Sequence, residues 1–92
     1  MKESYSLLKT DLENVVIETV KMGEEDETLV VRLYECFNKR DRGTLFCGEE
    51  IQEVFQCNML EQEEVPVEHT DHEISFSVKP FEIKTFKIRL KN

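Results

Sequence analysis

Glu73-Ile74-Ser75-Phe76-Ser77-Val78 alternates Ile74, Phe76 and Val78 with Glu73, Ser75 and Ser77. A period of two is what a strand with one buried face demands, because successive side chains leave opposite sides of the pleat. Lys79-Pro80 follows, and proline has no N–H to give a ladder, so this strand stops there. The chain resumes at Ile83, after which Phe86, Ile88 and Leu90 alternate with Thr85, Lys87, Arg89 and Lys91, the pattern of a second, separate strand.

The same grammar repeats upstream. Val15-Val16-Ile17-Glu18-Thr19-Val20 is rich in β-branched residues, and the acidic stretch Glu24-Glu25-Asp26-Glu27 behind Gly23 separates it from Leu29-Val30-Val31-Arg32-Leu33-Tyr34. Two such runs around a polar loop predict an antiparallel hairpin. A second loop, Asn38 to Gly43, leads into Thr44-Leu45-Phe46-Cys47, a further run covers Ile51 to Met59, and Val65-Pro66-Val67 reads as a short edge piece. Ile51, Val54 and Phe55 stand at helical spacing, but Phe55 and Cys57 continue an alternation begun at Ile51, so a strand is expected there too. Six to eight short strands about ten residues apart, without a helical stripe, predict an all-β fold, an antiparallel β-sandwich of immunoglobulin-like size. The expected core includes Ile17, Leu33, Phe76, Val78, Phe86 and Ile88.

Composition agrees. The 92 residues suffice for a single domain spanning 1–92, and 39% apolar with 35% charged residues is a globular balance. Twelve Lys and Arg against 20 Asp and Glu leave a net charge of −8, which repels phosphate backbones and anionic lipid, so neither nucleic acid nor membrane is expected as a partner. No run is long enough to cross a bilayer and Met1-Lys2-Glu3-Ser4 opens no apolar leader, so the expected location is cytoplasmic. Cys36, Cys47 and Cys57 are odd in number and lack the spacing of a zinc knuckle or redox pair, which reads as small thiols in a reducing compartment.

Glu68-His69-Thr70-Asp71-His72 is the only cluster with the chemistry of a metal site. In an extended chain His69 and His72 point to opposite faces, and in a turn they splay into solvent, so a solvated connection is expected and no metal. With 20 acids on 92 residues, carboxylate pairs carry no signal for glycosidase chemistry, and no nucleophile elbow, phosphate loop or zinc-helix motif occurs. No catalytic, cofactor-binding or metal-ligating residue is therefore assigned. Lys39, Arg40 and Arg42 form a local cation excess in an acidic chain, either balancing neighbouring acids or docking on an acidic surface.

Four stretches carry more than a fold. Asn14 to Lys21, Leu29 to Glu35, Asn58-Met59-Leu60-Glu61 and Lys79-Pro80-Phe81-Glu82-Ile83-Lys84-Thr85-Phe86 resemble, in order, strands of the C-terminal β-sandwich domain of α-mannosidases of glycoside hydrolase family 38. The chain departs from that pattern at Cys36-Phe37, where smaller residues commonly follow the Tyr-Glu pair, and this leaves the course of the next loop open. The resemblance implies a retaining, zinc-dependent α-mannosidase as parent, with its Asp nucleophile and zinc in an N-terminal catalytic domain followed by a helical bundle. No position here matches those motifs, so the expected role is that of a non-catalytic accessory domain that packs against the catalytic and helical domains and helps shape the cleft. The alternative is a free-standing sandwich that binds a glycan or a protein, although sugar platforms usually present flat aromatics and there is no Trp.

The run from Leu29 is apolar on both sides of its alternation, with Leu29, Val31 and Leu33 on one and Val30 and Tyr34 around Arg32 on the other. A sheet solvated on one face needs one such row, so the second implies cover from outside. Val30, Arg32, Tyr34, Lys39, Arg40 and Arg42 are accordingly the candidate interdomain contacts. In isolation a second copy packed about a two-fold axis would supply that cover, as a weak homodimer strengthened by salt.

Overall fold

The computed structural model describes residues 8–22, 28–58 and 62–91. Among these the chain forms eight strands and no helix: β1 (Leu8–Thr10), β2 (Val15–Met22), β3 (Thr28–Glu35), β4 (Asp41–Cys47), β5 (Ile51–Cys57), β6 (Val65–Pro66), β7 (Glu73–Val78) and β8 (Ile83–Leu90). They build two antiparallel sheets, one ordered β1-β4-β7 and the other β2-β3-β8-β5-β6. The expected hairpin is the β2–β3 pair, and the turn at Pro80 carries the chain from one sheet to the other. Proline 66 lies in the two-residue edge strand β6, where the missing N–H costs least.

The two inner faces supply the core. β7 offers Ile74, Phe76 and Val78, β4 offers Leu45 and Cys47, β3 offers Leu29, Val31 and Leu33, and β8 offers Phe86 and Ile88. Phe76 and Phe86 meet across the sheets edge to face, their ring centres 6.5 Å apart. Five of the six expected core residues are buried, and Ile17 is half-buried against the cluster because β2 is an edge strand. Gly43 faces inward where the β1–β2 connection crosses β4, and a Cβ there would meet Leu12 Cγ at 2.5 Å. Asp11 fixes that crossing, its Oδ1 accepting the Thr44 N–H at 2.8 Å.

Two register shifts alter the expected faces. One falls between Ile17 and Thr19, so that Ile17 and Val20 both turn toward β3's inner row, opposite Leu33 and Val31. The other falls between Ile51 and Glu53, so Ile51 and Val54 join the core, while half-buried Phe55 and buried Cys57 lie on the other side, opposite Lys87 and Thr85. The alternation read from Ile51 through Phe55 to Cys57 is thus corrected. A bulge puts neighbours at i and i+3 on one face, which imitates helical spacing. The far end of that run, Met59, lies outside the described residues. β4 begins at Asp41, earlier than expected, so Arg42 and Gly43 belong to a strand and the preceding loop is shorter than the sequence suggested.

Candidate functional site

In β3 the inner row runs Leu29, Val31, Leu33 and then Glu35, which has no exposed surface. A carboxylate in a core row must find donors or be neutralised. Glu35 finds them at the end of the sandwich where the β3–β4 loop and the β7–β8 turn converge. Its Oε1 accepts the Phe81 N–H at 2.8 Å, and its Oε2 accepts the Asn14 side-chain amide at 2.8 Å and the Phe37 N–H at 3.0 Å. Burial pushes this carboxyl up, but hydrogen bonds from Phe81, Asn14, Phe37 and the Lys39 backbone outweigh it and hold Glu35 at about 2. The backbone joins in, with Glu35 N–H donating to Glu82 O at 3.0 Å and Cys36 N–H to Asn14 O at 2.8 Å.

Both loops so clamped carry unusual residues. Lys79 O accepts the Glu82 N–H at 3.0 Å, closing a turn with Pro80 second and Phe81 third, and Phe81 has φ 58°. That third position favours glycine. Phe81 is 52% exposed, and Phe37 on the opposing loop 59%. Beside them lies an open groove of about 580 Å³, lined chiefly by Arg40, Asp41, Arg42, Lys79, Glu82 and Lys84. Lys84 reaches across from β8 to donate to Ser77 O at 2.6 Å, so it ties the two sheets together within the groove lining.

The six residues expected to face a partner do not form one surface. Val30, Arg32 and Tyr34 share the outer face of the larger sheet, whereas Lys39 and Arg40 lie in the β3–β4 loop and Arg42 on β4. Val30 has no exposed surface in the single chain, so it needs no outside cover. Its partners across the two ladders are Lys21 and Lys87, residue types whose long methylene stems can cover an apolar neighbour. Arg40 and Arg42 do come together, in the groove. The sequence assigns no role to Glu35 or Phe81 and marks Phe37 only as a departure from the family's pattern, although reading β3's alternation to its last residue places Glu35 inside.

His69 and His72 are both engaged by carbonyls: His69 Nδ1 lies 2.7 Å from Thr70 O, and His72 Nδ1 3.0 Å from Cys47 O. His72 thereby links the end of β4 to the start of β7. Among the described residues no group of three or more His, Cys, Asp or Glu is placed to hold a metal ion. The three cysteines are free thiols. Burial pushes the Cys47 thiol up from its usual value, which keeps it protonated and unreactive.

An all-β, two-sheet antiparallel sandwich whose most constrained feature is a pair of clamped loops is a class shared by many binding and accessory domains. The chain belongs to the family described as glycosyl hydrolases family 38 C-terminal beta sandwich domain, whose model matches residues 14–86. It is similar to alpha-mannosidase 2C1 of Mus musculus, 28% identical over 95 residues, covering 97% of this chain and 9% of the mouse protein. It is also similar to alpha-mannosidase G of Dictyostelium discoideum, 26% identical over 85 residues, covering 89% of this chain and 8% of that protein. The chain thus spans less than a tenth of the length of either relative.

Proposed function

We propose that this chain serves as the non-catalytic C-terminal sandwich of an α-mannosidase-like glycoside hydrolase, packing against the remainder of the enzyme and helping to form the wall of its cleft. The family match over residues 14–86 carries this reading, together with relatives named as α-mannosidases of which the chain is a small part. A zinc ion belonging to such an enzyme does not fit the described residues: His69 and His72 are tied to carbonyls, and among the described residues no third ligand joins them. No catalytic step is therefore assigned to this chain, and the hydrolytic carboxylates and metal belong to the upstream part of the parent.

The test uses an antibody against this sequence to isolate the native polypeptide from its source. The expected result is a polypeptide several times longer than 92 residues, with α-mannosidase activity that a chelator removes and zinc restores. A native product of 92 residues without hydrolase activity overturns the proposal. It would favour the second reading, a free-standing glycan- or protein-binding module, for which the exposed rings of Phe37 and Phe81 are the supporting observation.

A further inference from the structure

The end of the sandwich at Glu35 holds features that the stability of the domain does not call for. Phe81 keeps a half-exposed ring at a positive φ, where glycine would sit without strain, and Phe37 exposes an even larger share of its ring on the facing loop. Their N–H groups bind the two oxygens of one carboxylate, so both rings rise from backbone that the same buried side chain holds.

The charges beside them are unequally engaged. Asp41 Oδ1 accepts the Arg42 N–H at 2.8 Å and its Oδ2 lies 3.7 Å from Lys39 Nζ. Glu82 Oε1 accepts the Lys79 N–H at 2.9 Å and lies 3.9 Å from Lys84 Nζ. Both groove carboxylates are thus engaged locally. The exposed guanidiniums of Arg40 and Arg42 form no ion pair among the described residues. On a chain of net charge −8 this is a local reversal of sign.

We infer that this end of the sandwich is a docking surface for an acidic, partly apolar segment from the upstream chain of the parent enzyme. Phe37 and Phe81 are its apolar anchors, and Arg40 and Arg42 its carboxylate forks. Aromatic residues and arginine are the types that concentrate binding energy at protein interfaces, and a guanidinium grips a carboxylate with two parallel hydrogen bonds. The Glu35 clamp orders both loops beforehand, so little conformational freedom is lost on docking. The net charge argues against a long polyanion, which the remaining surface repels, and for a short acidic stretch that meets only this groove. The chemistry of the occupant stands on the groove; its source in the upstream chain rests on the function proposed above.

The experiment titrates the isotope-labelled 92-residue chain with a short peptide of alternating Glu and Leu while amide NMR shifts are followed. The expected result is saturable shifts confined to residues 37–42 and 77–84, weakened severalfold by about 0.5 M salt. In the double variant Arg40→Glu, Arg42→Glu the dissociation constant rises about tenfold or more, and in Phe37→Ser with Phe81→Ser it rises by a smaller factor, with spectral dispersion retained throughout. Absence of binding, shifts elsewhere, equal affinity for a Lys and Leu peptide, or an unchanged constant in the arginine variant overturns the inference. Inorganic phosphate reproducing the same shifts at the same affinity reduces the site to a simple anion site and overturns it as well. Sedimentation of the free chain covers the remaining occupant: self-association that salt weakens and the arginine variant abolishes would place a second copy in the groove and overturn the inference. Loss of peptide binding in a chain shown to belong to a long α-mannosidase defeats this inference alone, whereas binding by a native 92-residue product defeats the proposed function and the upstream source but leaves the groove chemistry standing.

Discussion

Strands β7 and β3 sit in opposite sheets and bury their apolar residues in opposite styles. β7 alternates without exception, with Ile74, Phe76 and Val78 buried and Glu73, Ser75 and Ser77 exposed. β3 is buried or half-buried at every position. β7 is the edge of a three-stranded sheet, whereas β3 is flanked on both sides, by β2 and β8. A central strand loses exposure to its ladder neighbours even on its outward face, and here those neighbours include the lysines opposite Val30. The contrast teaches that a second apolar row reports position within a sheet before it reports a missing partner.

Truncation of core rings against truncation of that outer row tests the contrast with the largest expected effect. Phe86→Ala or Phe76→Ala removes a ring from the contact between sheets and is expected to cost about 3–5 kcal/mol, comparable to the whole stability of a small domain. Val30→Ala is expected to cost about 1–2 kcal/mol, because it loses only a few methyl contacts and flexible lysine stems can settle over the gap. Urea unfolding measures both. Equal losses at Val30 and Phe86 would mean that the outer row is packed as rigidly as the core.

Glu35 sharpens the comparison at the end of β3, where the inner row exchanges an aliphatic side chain for a carboxylate. Its folded value of about 2 lies below the ordinary 4.5. The ionised group therefore stabilises the fold in full above pH of about 4.5 and loses that contribution as pH falls from there toward 2. Glu35→Gln is expected to lower stability at neutral pH, since an amide turns N–H groups toward donors that need acceptors. The gap between the two proteins should close steadily below pH 4.5. Urea midpoints from pH 7 to pH 2.5 provide the check, and a gap independent of pH would show that the carboxylate's charge plays no part.

How far the sequence discloses this fold depends on whether a signal is local. β7 and β8 are legible because strict alternation and a proline stop lie within a single stretch, Glu73 to Leu90. β1 is not, because Leu8-Lys9-Thr10 is too short to show a period and gains its identity only by pairing with Leu45 to Cys47. The bulges near Glu18 and Gln52 are hidden for a similar reason: they are defined by the partner strand's register. The cations of the groove could be seen as an excess at Lys39, Arg40 and Arg42, but Lys79 and Lys84 join them only through the turn beyond β7. Glu35 was within reach. It is one acid among 20, and what separates it from the others is parity with Leu29, Val31 and Leu33.

The smallest effect expected is also the one that separates the two exposed rings. Phe81 occupies the left-handed region at φ 58°, which costs a side chain with a Cβ about 1–2 kcal/mol that glycine does not bear. Glycine in turn gives up about 0.5–1 kcal/mol through the greater freedom of the unfolded chain. Phe81→Gly retains the N–H that Glu35 binds and removes a ring that is 52% exposed, so the net change should be a gain of about 0–1 kcal/mol, or a few degrees in melting temperature. Phe37 has no positive φ, so Phe37→Gly has no strain to relieve and should lose about 0.5–1 kcal/mol. Opposite signs in paired thermal melts are thus expected from two substitutions on the same carboxylate. A loss above about 1 kcal/mol at position 81 would show that its ring packs into the sandwich and anchors the domain's own fold rather than a partner.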